Sequence, residues 1–373
     1  MKVLYVAFHD PMDIDVGNGM DYFHYHSICD RGFEVKVNGP FNNPAARLEQ
    51  LIARIYQRTG KRYLKYKFST AWKASQATNQ AVRKWKPDVI FTIYPAALMF
   101  YKESTPCVYS LDTTIYGLEK FWPLYGWPIL MLSMWQEQRV INKCKKVLTN
   151  SEWHRKILTD IYKVPLNRTE VFALPSTLPP QQVPDKIEMG WKTLQSPFRL
   201  LLVGRDYLRK GIDIAIETVR KLNSAGIFAE LTVCGTQGKE ERFIKFVGPY
   251  KKSDPGQLGQ YLDLYREANL LIHPAVFEPA GIVAAEAAAF GTPTITNDVG
   301  GMATTVADGE SGFVLPRGSP SDAYVQVITR LIQNPEGYYA LCQSTRRRYE
   351  RELNWDVVGT RFADILRQAA KPG

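Results

Sequence analysis

Cysteine is scarce and scattered. The five residues Cys29, Cys107, Cys144, Cys234 and Cys342 include no C-x-x-C pair. That excludes a standard zinc cage and points to a reducing compartment, so the chain is read as cytosolic. No stretch offers the 18 or so consecutive apolar residues that a spanning helix needs. The opening run Met1–Asp10 stops being apolar at His9 and reads as a first buried strand rather than a signal peptide. There is no repeat of fixed period and no low-complexity segment. Acid is missing in one place above all: between Arg47 and Lys86 stand 11 basic residues and a single acid, Glu49. Residues 1–185 carry 24 basic against 16 acidic side chains, and residues 186–373 carry 23 against 21, so most of the net +10 sits in the first half. Such a block suits an anionic partner: nucleic acid, a membrane surface or a phosphorylated substrate.

What is present is ordinary globular sequence, 373 residues with 45% hydrophobic and 23% charged. That length favours two domains over one core. Short β-branched or aromatic runs bounded by turn residues read as buried strands at 3–8, 34–37, 88–94, 107–111 and 146–149. The second half repeats the pattern at 199–203, 229–234, 244–247, 270–273, 292–296 and 312–314. Residues 43–86 and 122–145 read as helical. Alternating strands and helices predict parallel sheets covered on both faces, an α/β fold of two doubly wound, Rossmann-like domains facing across a cleft. The proline-rich stretch 176–197 reads as the linker between domains at 1–175 and 198–354. Ligands of such sheets bind beyond the carboxyl ends of the strands, so the strand-exit loops are where chemistry is sought.

Two loops stand out. Gly204-Arg205-Asp206-Tyr207-Leu208-Arg209-Lys210-Gly211 follows the first strand of the second half. Arg205 and Lys210 are placed to reach a phosphate, where fixed cations would stabilise a diphosphate gaining charge as its bond breaks; a solvated basic loop is the alternative. The second loop, His273 to Glu286, carries Glu278, then Gly281 at the start of an alanine-rich helix. The free amides of Gly281, Ile282 and Val283 would form an anion-accepting helix end. Glu286, among alanines, needs hydrogen-bond donors if buried, and two vicinal sugar hydroxyls would supply them. The alternative is an exposed glutamate on a surface helix.

Glu278 and Glu286, seven residues apart, resemble the E-x7-E element of retaining GT-B glycosyltransferases of family 4. Gly204-Arg205 with Lys210-Gly211 resembles that family's phosphate loop. Phe246-Val247-Gly248, Leu264-Tyr265, Gly291-Thr292-Pro293, Gly300-Gly301 and Asp308-Gly309 follow in its order. The match is strong over 199–316 and diffuse over 1–175. The resemblance implies that Arg205 and Lys210 hold the diphosphate of a nucleotide sugar, and that Glu286 takes the ribose. Glu278 with the amides of Gly281, Ile282 and Val283 would hold the transferred sugar, and the base would lie near Val247 and Gly248. It also implies transfer of a hexose with retention of anomeric configuration, with no metal and no cofactor beyond the nucleotide-sugar co-substrate, and a last helix, about 355–373, that packs back on the first domain. Asp13-Ile14-Asp15 spells the D-x-D string of metal-dependent transferases, but in the loop after the first strand, the wrong context. The family's Gly-Gly pair is here Gly17-Asn18-Gly19, a loop still able to wrap phosphates. Asp112 stands where many members place a histidine. It is a candidate for orienting the donor sugar or accepting an acceptor proton; a turn or helix cap is the alternative. His9 leaves the first strand and is an acceptor-side candidate. His24 and His26 read as packing, and His154, after the cap Ser151, as a surface residue.

The acceptor is addressed by two segments. Residues 54–73 interleave cations with aromatics, and 121–135 are apolar and aromatic without charge. Together they suit an anionic membrane surface and an acceptor that is a lipid or lipid-linked glycan. The alternatives are a buried helix, a solvated face, and a soluble sugar or polysaccharide acceptor. Nucleic acid is not expected, since no binding motif is present. A catalytically idle nucleotide-sugar sensor is the rival from outside enzymology.

Overall fold

Every run read as a strand is one in the computed structural model, which describes residues 1–41, 45–187, 192, 194 and 196–371. Contacts group the chain into two units. The first is Met1–Phe172 together with the chain from Val358 onward; the second is Ala173–Val357.

The first unit is built on β1 (Lys2–Val6), β2 (Glu34–Asn38), β3 (Val89–Thr92), β4 (Cys107–Leu111), β5 (Cys144–Thr149) and β6 (Thr169–Val171). They form a parallel sheet in the order β2-β1-β3-β4-β5-β6. β1 and β3 are almost wholly buried, which is why they read as continuous apolar runs rather than alternating ones. One face of the sheet, with Leu4, Val6 and Ile90, packs on Ala71, Ala74 and Val82 of helix Phe68–Trp85 and on Val140 and Ile141 of helix Trp127–Lys143. The other, with Val3, Tyr5 and Phe91, is covered by Val358, Phe362 and Leu366 of the last helix, Trp355–Ala370.

Three differences from the sequence reading have simple causes. β6 went unseen because three residues at a sheet edge are too few to show a period. The single helical stretch 43–86 is two helices, Arg47–Arg58 and Phe68–Trp85, divided by a turn at Gly60; the expected start at residues 43 and 44 lies outside the described residues. The stretch 122–145 becomes helix Trp127–Lys143, since Pro128 favours the first helical turn and Cys144 already belongs to β5.

The second unit holds β7 (Phe198–Val203), β8 (Ala229–Cys234), β9 (Ile244–Val247), β10 (Leu270–His273), β11 (Thr294–Asn297) and β12 (Gly312–Leu315). The order is β12-β11-β10-β7-β8-β9, again all parallel. The winding direction reverses between β7 and β10, and in the first unit between β1 and β3. At such switch points the loops leave the strand ends in opposite directions and open a crevice for ligand. The loops after β7 and β10 are the two singled out from sequence.

Candidate active site

The β7 and β10 loops are tied together by the Val276 N–H, which donates to the Arg209 carbonyl at 2.9 Å. Between them Lys210 meets Glu278, with Nζ 2.5 Å from Oε2. Gly204 makes this possible: a Cβ there would stand 2.6 Å from Lys210 Cγ, so the lysine stem runs where a side chain would be. Arg209, not singled out from the sequence, adds a second cation 3.1 Å from the same oxygen of Glu278. His273, the last residue of β10, lies behind the pair with Nε2 3.5 Å from Glu278 Oε2, too far for a good hydrogen bond. Burial, then the Lys210 charge, pushes His273 down to about 4, so it is neutral.

The charges in this cluster are settled by one another. Burial alone would raise the Glu278 pKa, but Lys210, His273 and Arg209 outweigh it and hold the carboxyl well below its ordinary range. Burial lowers the Lys210 pKa, and Glu278 restores part of it. Arg205 is exposed and makes no ion pair among the described residues. The loop therefore offers one free arginine at its rim and a lysine and an arginine held on a glutamate below.

Glu278 is followed by Gly281 at φ 70°, which opens helix Ile282–Ala289. A Cβ at Gly281 would meet Met302 Sδ at 2.8 Å, so both conformation and space require glycine there. The amides of Gly281, Ile282 and Val283 find no acceptor among the described residues, which leaves them to point out of the helix end.

Glu286 is buried, not exposed. Its donors, however, are the protein's own. Oε1 accepts from Lys252 Nζ at 2.6 Å and Thr177 Oγ1 at 2.9 Å, and Oε2 from the Tyr261 and Tyr265 hydroxyls at 2.7 Å each. Burial opposes the charge of Glu286, but Lys252 and the phenols outweigh it and lower its pKa. Of these four only Tyr265 was noted from sequence, as part of a family motif with no role assigned to it. The i,i+4 spacing of Tyr261 and Tyr265 on helix Pro255–Glu267 was the available signal for two of them. Val247 ends β9, and Gly248 begins the loop that delivers Lys252; a Cβ on Gly248 would lie 3.3 Å from Cys234 Sγ at the end of β8.

In the first unit Gly17 and Gly19 have φ of 57° and 76° in the loop after β1, and Gly17 lies against the His9 ring. His9 Nδ1 is 3.4 Å from Oδ2 of the buried Asp21, a partner the sequence reading missed. Asp21 also accepts from the Tyr5 hydroxyl at 3.0 Å. Asp13 Oδ1 accepts the Asp15 N–H at 2.9 Å, so the D-x-D string is a local turn. Among the described residues no three His, Cys, Asp or Glu side chains are grouped as metal ligands.

Asp112 leaves β4 on a different loop and is exposed. Its Oδ1 accepts the Thr113 N–H at 2.7 Å, while the cap of helix Ile115–Phe121 is Thr114, whose hydroxyl accepts the Gly117 N–H at 3.0 Å. His154 is a correction: it is fully buried, not on the surface. Its ring nitrogens reach Thr113 Oγ1 at 2.9 Å and Asn150 Oδ1 at 2.9 Å. As the third residue of helix Glu152–Asp160 it faces the strand ends, and burial pushes its pKa down to about 3. His24 is packing, stacked on Phe91 with ring centroids 5.2 Å apart.

The family profile described as glycosyl transferases group 1 matches residues 187–349, and that described as glycosyltransferase family 4 matches residues 26–173. A glycogen synthase of Mycobacterium tuberculosis is 24% identical over 307 residues, 78% of this chain and 71% of its own. In fold, a sucrose-phosphate synthase from Thermosynechococcus elongatus superposes with a TM-score of 0.71 at 18% identity, over 99% of this chain and 98% of that one. HepE of Anabaena, solved with UDP-glucose, does so with a TM-score of 0.63 at 15% identity, over 99% and 100%. The two profiles between them take in most of both units, and the chain belongs to glycosyltransferase family 4, the glycosyl transferases group 1, with the GT-B fold.

Proposed function

We propose that this protein transfers a hexose from a nucleoside diphosphate sugar to an acceptor hydroxyl, with retention of configuration and without a metal ion. The observation that carries the reading is the Lys210–Glu278–Arg209 cluster at the β7/β10 switch point. Lys210 and Arg205 would take the diphosphate, and the amides of Gly281, Ile282 and Val283 add dipoles that favour negative charge. Charge builds on the leaving phosphate as the glycosidic bond breaks. Cations already fixed in a buried site stabilise that charge without reorganising. Glu278 sets the lysine in place and offers its carboxylate to the hydroxyls of the transferred sugar. In the retaining route the leaving phosphate oxygen accepts the acceptor's proton on the face it departs from, so no separate base is required in the second unit. Asp112 remains the candidate in the first unit for orienting sugar hydroxyls, since among the described residues its carboxylate is engaged at Oδ1 alone. HepE, with its UDP-glucose, makes a uridine nucleotide a sensible first donor to try.

For the acceptor, the reading we favour is a lipid or lipid-linked glycan at an anionic membrane surface. Helix Arg47–Arg58 buries no residue, and Leu48, Leu51 and Ile55 share one exposed face at helical spacing. Trp127, Met131 and Trp135 do the same on helix Trp127–Lys143, and Trp72 is exposed as well. Arg47, Arg54, Arg58, Lys61 and Arg62 surround the first of these faces in sequence, while Glu49, the lone acid, is held by Phe68 N–H and Ser69 N–H. Exposed apolar faces beside cations that make no ion pair among the described residues suit headgroups and acyl chains together. Among the described residues no helix is long and apolar enough to cross a membrane.

Two experiments test these readings. A donor screen with product detection, with and without EDTA, should show transfer or slow hydrolysis of one nucleotide sugar that EDTA leaves unchanged. Loss of turnover in EDTA removes the metal-free route, and binding without turnover favours a sensor. Co-sedimentation with anionic liposomes should be strong at low salt and weak at high salt; absence of binding at low salt removes the lipid acceptor.

A further inference from the structure

Glu286 already has four donors, about as many as a carboxylate can accept. The four differ in how readily they can leave. Tyr261 and Tyr265 are buried, bonded to each other at 2.9 Å, and fixed on one helix. Thr177 is buried. Lys252 is the most exposed of the four, with a side chain 15% exposed, and it stands on a loop rather than a helix. Its ammonium also lies 5.5 Å from the Tyr261 ring centroid and donates to the Thr177 carbonyl at 2.9 Å. A ribose hydroxyl that is to bond Glu286 Oε1 must compete with this ammonium for it.

We infer that Lys252 is a displaceable latch on the ribose site: it occupies Glu286 Oε1 in the free protein, and an entering nucleotide exchanges the ammonium for its ribose hydroxyls. The inference rests on the proposed donor chemistry, with Glu286 as ribose acceptor, and adds the residue that sets the threshold for binding there. Glu286 itself loses no donor in the exchange, and a buried carboxylate stripped of donors is costly whereas one that swaps donors is not; the Thr177 carbonyl and hydroxyl, which also accept from Lys252, pass to the ribose hydroxyls or to water. Tyr261 and Tyr265 stay as the permanent half of the site. Burial and the neighbouring Glu286 charge keep both phenols well above their ordinary pKa, so they remain protonated donors throughout. A nucleotide that presents fewer ribose hydroxyls replaces the ammonium less well, so the latch also sharpens the choice of ribose over deoxyribose.

The test is calorimetric titration of the full chain with UDP, GDP and ADP and with their 2′-deoxy counterparts. Wild type is compared with Lys252→Met, which keeps the stem but not the charge, and with Lys252→Gln as a second variant should the first fold poorly. In wild type one ribonucleotide should bind, and more tightly than its deoxy form. In Lys252→Met the free protein should melt at lower temperature, yet bind that ribonucleotide about fivefold more tightly, the scale of one solvent-reached ion pair. Lys252→Gln should fall between them. A structural lysine would lower the melting temperature and weaken binding together, and weaker or unchanged binding in both variants overturns the latch. If wild type binds no nucleotide, or makes no distinction between ribose and deoxyribose, the ribose site on Glu286 itself fails. That result is separate from, and prior to, any result on Lys252.

Discussion

Replacing Lys210 by methionine separates what this lysine does for the fold from what it does for transfer. The substitution keeps the stem that passes Gly204 and removes only the charge. Glu278 then loses the ammonium at 2.5 Å and keeps Arg209 at 3.1 Å. Breaking a buried ion pair by removing one partner costs about 3–5 kcal/mol. Arg209 offsets part of that, so about 2–3 kcal/mol of stability should be lost, roughly 5–10 °C in Tm for a unit of this size. Turnover should fall more steeply than stability explains. A fixed donor at a site of developing negative charge is worth about 10²–10³ in rate, roughly 2.7–4 kcal/mol. Adding Glu278→Gln to Lys210→Met removes the stranded carboxylate, so the pair of changes should recover most of the Tm and none of the turnover. The assay is thermal melting beside release of nucleoside diphosphate from the best donor. Turnover within about threefold of wild type in Lys210→Met, or its return in the double variant, would refute the role given to the lysine.

The lowered Lys210 pKa sets a direction for pH dependence. As pH rises the lysine loses its proton, and with it the cation proposed to meet the diphosphate, so kcat/KM should fall on an alkaline limb lying below the ordinary lysine value of 10.5. Lys210→Arg should move that limb upward, and a limb unmoved by arginine assigns it elsewhere. Gly204→Ala puts a Cβ 2.6 Å from Lys210 Cγ and forces the lysine to shift; overpacking should cost about 1–3 kcal/mol of stability and kcat/KM should fall with the displaced lysine, whereas a wild-type rate would show the lysine's path to be unimportant. His154→Leu leaves Thr113 and Asn150 without their buried partner. Stability should drop by about 1–3 kcal/mol, and an unchanged melting temperature would return His154 to the surface reading.

Much of the fold was legible because parallel strands buried on both faces write themselves as short continuous apolar runs. β6 at the edge and the break at Gly60 were not, since neither leaves a periodic trace. Lys210, Glu278 and Gly281, which the fold brings together, could be named because a basic loop leaving a strand and a helix start have local sequence signatures. Arg209 was hidden beside Lys210, where adjacency gave no hint that both reach one carboxylate. Lys252 and Thr177 carry no local signal at all: they come to Glu286 from 34 and 109 residues away, and only the folded chain joins them. His154 misled for the same reason. A cap at Ser151 locates a helix start but does not say which face of the first turn is buried.

The basic excess of the first half has no counterpart in the proposed donor site, whose cations Arg205, Arg209 and Lys210 all belong to the second unit. The proposed division of labour, donor in the second unit and acceptor in the first, has its own test in liposome binding through the exposed Leu48, Leu51 and Ile55.

The measurement that bears most directly on the donor chemistry is NMR observation of a nucleotide-sugar panel incubated with the purified protein in EDTA, following the anomeric proton from donor to product. One donor should be consumed, with nucleoside diphosphate released and the anomeric configuration of the new glycoside the same as in the donor. Consumption of no donor, an inverted product, or a reaction that starts only when a divalent metal is restored would contradict the assignment.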